Sequence, residues 1–148
     1  MKVRVLFAAL FALGEVPRSM FDFGKHCVAY KVKKKSFSVF SSTVVGKNCD
    51  ISVQLLPVVG GGYQVDVSVP INGFDSGDRD RDQDVRVILK ESEQSDIMFH
   101  SKVMSEIEWR EAIKKSSLNL DGELVIAGKS YGISAPSVVT KVAVGVEI

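Results

Sequence analysis

Apolar and polar side chains alternate with period two along most of the chain after residue 20, the pattern of half-buried β-strands. Val28, Tyr30 and Val32 fall on one side of such a strand, with Lys31 and Lys33 opposite. Phe37 and Val39 alternate with serines, and Ile51, Val53 and Leu55 alternate with Ser52 and Gln54. After Gly60-Gly61-Gly62 comes the clearest run, Tyr63, Val65, Val67, Val69 and Ile71 against Gln64, Asp66 and Ser68. Two strands around a glycine-rich loop predict a hairpin. Ile97, Phe99, Ser101 and Val103 predict a further strand, Leu124 and Ile126 another before the turn at Gly128-Lys129, and Val142, Val144, Val146 and Ile148 a last one. Only Ser105 to Lys115 has a helical pattern. Its acids come early and Lys114 and Lys115 late, as the helix dipole favours, and Trp109, Ala112 and Ile113 share a face. The fold class expected is all-β, an antiparallel barrel or sandwich with one short helix near residues 105–115. A sheet with one apolar face must curl or pair to bury it, and closure also hides its edges.

With 148 residues the chain has room for one domain with one core. A net charge of +1 gives no reason to expect a polyanionic partner. The one basic cluster, Lys31, Lys33, Lys34 and Lys35, lacks aromatic interleaving and a recognition helix, so it predicts a solvated strand end and no nucleic-acid partner. Lys2 and Arg4 precede an unbroken apolar run from Val5 to Leu13, and Ala12 and Gly14 place small residues before Glu15. That layout predicts an export signal over residues 1–14 and a mature domain over 15–148, placed in the periplasm or secreted. The competing reading is a buried N-terminal helix or strand. The run is too short to span a bilayer as a helix and there is no second one, so the protein is not expected to be transmembrane. Export would bring Cys27 and Cys49 into an oxidising compartment, where a bridge between them needs suitable geometry.

The densest polar feature is Asp75-Ser76-Gly77-Asp78-Arg79-Asp80-Arg81-Asp82-Gln83-Asp84. In a strand, Asp78, Asp80, Asp82 and Asp84 would share a face and repel unless a cation or arginine compensates. A calcium loop needs glycine at its sixth position and a terminal glutamate, yet the sixth residue from Asp78 is Gln83 and from Asp80 is Val85. A structural corner compensated by Arg79, Arg81 and Arg86 is the preferred reading, with a calcium-dependent module as the alternative. No serine lies in a nucleophile elbow, and neighbours such as His26 and Cys27 point to opposite faces of a strand, a poor dyad. No glycine loop cradles a phosphate. The chain is expected to be non-enzymatic, with no cofactor and no metal.

Several phrases occur in a telling order. Val67-Ser68-Val69-Pro70-Ile71 is followed by Asp75-Ser76-Gly77, by Arg81-Asp82, and by Ile97-Met98-Phe99-His100-Ser101. Gly122-Glu123-Leu124-Val125-Ile126-Ala127-Gly128 comes later, and Val45-Gly46-Lys47 with Ile51-Ser52 lies upstream. Over about residues 20 to 135 the chain resembles the YceI-like family, lipocalin-like β-barrels found mostly in bacterial periplasms. It departs in lacking a histidine near the Arg-Asp pair, where Gln83 and Asp84 stand, and in having only 20 residues after Gly128, where the family continues with several more strands. The resemblance implies a lipocalin-like barrel, shortened at its C-terminal end, whose relatives hold a long isoprenoid chain inside. An apolar tunnel favours such a ligand by about 0.8 kcal/mol per buried CH₂. The inward, ligand-binding candidates are Val28, Tyr30, Val32, Phe37, Val65, Val67, Val69, Ile97, Phe99, Leu124 and Ile126; Asp75, Ser76, Gly77, Arg81 and Asp82 form a structural motif. The alternatives are a solid core with an interaction role and no small ligand, and pairing of bare strand edges into a homodimer.

Overall fold

The computed structural model describes residues 3–7, 27–35 and 41–141. Phe37, the alternation at 142–148 and all of the expected export signal except Val3–Phe7 lie outside the described residues. In chain order the elements are β1 (Val3–Phe7), β2 (Val28–Lys35), β3 (Ser41–Asn48), β4 (Ser52–Pro57), β5 (Tyr63–Pro70), a 3-10 turn (Ile71–Gly73), α1 (Arg79–Ile88), β6 (Asp96–Ser101), α2 (Glu106–Lys115), β7 (Ser117–Ile126) and β8 (Lys129–Lys141). Six strands form one open sheet in the order β1-β8-β7-β6-β5-β4, while β2 and β3 make a separate hairpin. Every pair is antiparallel except β1–β8, where Val3–Phe7 runs parallel to Ser137–Lys141.

Register places the apolar positions of neighbouring strands side by side. Val53 lies opposite Val67, Val67 opposite Phe99, and Phe99 opposite Leu124. Since directly opposed residues share a face, these four form a row across β4 to β7. The reverse face carries a matching polar row, Gln54, Asp66, His100 and Glu123. The core gathers on the apolar face, where Val65, Phe99, Leu120, Ala135 and Val139 are buried together with Trp109 and Ala112 of α2. The face that the sequence predicted for α2 is therefore the one laid on the sheet.

Helix α2 begins with a capping box. The Ser105 hydroxyl accepts a hydrogen bond from the Glu108 amide (3.3 Å), and the Glu108 carboxylate accepts from the Ser105 amide (2.7 Å) and hydroxyl (2.8 Å), satisfying otherwise orphaned donors. The Ser105 backbone hydrogen bond, then the side-chain one, hold the Glu108 carboxyl below the usual glutamate range. The hydrogen bond and charge of Lys114 do the same for Glu111. Depressed carboxyl values mean that this stabilisation is complete above the unfolded glutamate range and is lost as pH falls through the lower folded values. Helical circular dichroism of Glu108→Gln should therefore match that of the parent in acid and fall below it near neutrality. A gap that persists unchanged in acid would contradict the box.

The acidic stretch departs from the strand pattern. Residues 79–88 form helix α1, the second helix beside the one expected, with Asp78 as N-cap accepting from the Asp80 and Arg81 amides. Asp80 and Asp82 occupy the first turn and Arg86 the last, so the charges follow the helix dipole. Alternating carboxylates resembled a strand face because period two and a helix start look alike over so few residues. Ile71 and Val103 also leave the predicted strands, since β5 ends at Pro70 and β6 at Ser101.

Candidate functional site

The expected inward residues divide into two groups. Val65, Val69 and Phe99 are buried, whereas Val67, Ile97, Leu124 and Ile126 are only half-buried although they stand on the same sheet face. Trp109 and Ala112 belong to the buried cluster with Val65, Leu120, Ala135 and Val139, so α2 fills that part of the face. Ile97 and Ile126 lie at the start of β6 and the end of β7, in the part of the face towards Val69. There the apolar strip remains partly open.

The hairpin joins the sheet near this open part. Lys47 and Asp75 exchange two backbone hydrogen bonds of 2.9 Å, and the Asn48 side-chain amide, 1% exposed, donates to the Pro70 carbonyl at 2.6 Å. Its carbonyl oxygen accepts from the Asp50 amide at 2.8 Å. Cys27 and Cys49 are bonded as a disulfide, which closes the end of the hairpin beside Asn48. The Tyr30 ring meets the edge of Phe74, with centroids 5.4 Å apart, and lies across Gly46, where an added Cβ would come within 2.1 Å of it. Val28 and Tyr30 are half-buried, and Val32, beyond them, is 52% exposed. Tyr30 carries a buried hydroxyl that finds no hydrogen-bond partner among the described residues, an unusual state for a buried polar group. Sequence reasoning had not singled out Asn48 or Phe74, both buried here; Val45-Gly46-Lys47 pointed to the turn but not to its neighbour.

Asp75, Ser76, Gly77, Arg81 and Asp82 form a closed local clasp. The Asp82 carboxylate accepts from the Ser76 hydroxyl at 2.6 Å and amide at 3.0 Å, and Asp75 accepts from the Gly77 amide at 2.8 Å. Arg81 donates to the Ser76 carbonyl at 3.5 Å and the Asp78 carboxylate at 3.3 Å. These side chains bind one another, and among the described residues no group of three or more His, Cys, Asp or Glu converges well enough to hold a metal. The serine of Ile-x-Phe-x-Ser also has a local task. Ser101 is buried, and its hydroxyl accepts from the Val65 amide at 2.8 Å while donating to the Lys102 carbonyl at 2.9 Å. His100 faces the polar side, with Nδ1 3.1 Å from the Asp66 carboxylate. Among the described residues no helix is long and apolar enough to cross a membrane.

No protein-family model matches the chain, and no curated protein does. Solved structures do. The crystal structure of Burkholderia cenocepacia BcnA superposes with a TM-score of 0.53 at 17% identity, over 74% of this chain and 65% of that one. A mutant Campylobacter jejuni YceI protein gives 0.51 at 22% identity, over 70% of this chain and 59% of that one. The chain thus spans less than two thirds of either protein. At such identities the likeness carries the fold alone, and in its fold this chain is YceI-like.

Proposed function

We propose that the protein binds an apolar, lipid-like molecule, of the isoprenoid kind, without performing chemistry on it. The observation that carries this reading is the strip of Val67, Ile97, Leu124 and Ile126, on the same face as the buried core yet only half-buried. An alkyl chain laid along it gains about 0.8 kcal/mol for each CH₂ removed from water. Tyr30 of the hairpin packs its ring against Phe74, and its unpartnered hydroxyl suits a single polar group on an otherwise apolar ligand. The YceI-like fold supports a carrier role, and the apolar run from Val5 to Leu13 supports a periplasmic or secreted setting.

The test is native mass spectrometry of protein purified without detergent, followed by lipid extraction. A stoichiometric apolar ligand of several hundred daltons is the expected result, with Leu124→Lys losing it while keeping the parent circular dichroism. A folded parent that stays bare after incubation with total lipid extract would sink the proposal. It would favour the solid-core interaction domain, for which the buried cluster around Trp109 is the supporting observation.

A further inference from the structure

The six-stranded sheet ends at β4, whose outer edge has no partner strand among the described residues. Free edges are normally protected by charge, lysine above all, and the chain follows this rule elsewhere. β2 carries the exposed Lys31. β4, Ser52-Val53-Gln54-Leu55-Leu56-Pro57, has no charged residue. Its regular register with β5, one residue to one from Ser52–Ser68 to Pro57–Tyr63, contains no bulge to twist the edge away.

We propose that this edge pairs with the same edge of a second copy, antiparallel, about a twofold axis through Gln54. Symmetry imposes the register. A twofold perpendicular to the sheet keeps each residue on its own face, so the axis must pass through a residue and not between two. Centring on Gln54 sets Ser52 opposite Leu56 and Val53 opposite Leu55, and leaves Pro57, which has no amide to donate, outside the ladder. Centring on Leu55 would bring Pro57 into it. In the Gln54 register Val53 and Leu55, which stand on the apolar face, meet each other across the seam while Leu56 meets Ser52, and no like charges are opposed, as β2 edges would oppose their lysines. The apolar faces of the two sheets then run together. The interface stands independently of any bound ligand.

Sedimentation equilibrium of the full chain over a concentration series tests this, beside Gln54→Lys and Gln54→Cys. Gln54 is exposed, and the lysine would lie beside Asp66 within its own sheet, so the monomer should fold as before, checked by circular dichroism. A parent dimer, at least a tenfold weaker association for Gln54→Lys, and oxidative cross-linking of Gln54→Cys but not of Ser52→Cys are the expected results. A parent that stays monomeric throughout, a dimer indifferent to Gln54→Lys, or equal cross-linking at both positions would each overturn the proposal.

Discussion

Trp109→Ala should lower the unfolding free energy by about 3–5 kcal/mol, the usual penalty for truncating a large buried aromatic. Trp109 is 6% exposed and packs in the cluster that contains Val65, Leu120 and Val139. It is the largest side chain that α2 contributes to the apolar face, and the sheet beneath cannot collapse into the space without disturbing the β7–β8 pairing. Urea denaturation followed by circular dichroism measures the loss. A change below about 1 kcal/mol would mean that α2 is only loosely laid on the sheet.

Gly122→Val should be comparably severe for the opposite reason. An added Cβ at Gly122 would stand 2.3 Å from the His100 carbonyl oxygen and 2.7–2.8 Å from the Phe99 ring. The ring can turn away only by leaving the core, and the carbonyl belongs to the β6 backbone. Overpacking of a core by extra methyl groups costs about 1–3 kcal/mol; the backbone overlap puts the expected loss at the upper end or beyond. Phe99→Leu would relieve the ring contact but not the carbonyl contact, so thermal denaturation of the double variant should recover only part of the loss. Full recovery would show that the carbonyl overlap carries no weight.

Both sites bear on what could be read from the residue order. Glycine at position 122 was visible as part of a Gly-x-Leu-x-Ile-x-Gly phrase, and Phe99 as part of Ile-x-Phe-x-Ser. That one covers the other follows from the β6–β7 pairing, which sets Ser101 opposite Gly122 and Phe99 opposite Leu124. The β5 strand and helix α2 were legible because Val65, Val67 and Val69 repeat at two and Trp109, Ala112 and Ile113 at helical spacing. β8 was not. Its inward positions include Ala135 and Ser137, both buried, and such small side chains leave little hydrophobic signal. Helix α1 was hidden by its own charges, since carboxylates at alternate positions resemble a polar strand face until Asp78 is seen capping the first turn. Of the candidate site, the half-buried residues were legible individually. Their separation from the buried ones was not, because it depends on where α2 lies.

The sequence by itself determined that most of the chain is strand, and which faces of those strands and of α2 are apolar. Those features rest on spacing within about ten residues, where backbone geometry leaves few options. Only the tertiary structure decided the strand order, the disulfide between Cys27 and Cys49, the burial of Asn48 against Pro70, and the uncharged β4 edge without a partner strand among the described residues. Each of these joins segments far apart in the chain, or leaves one unjoined. Burial and pairing depend on what every other segment covers, which no local pattern encodes.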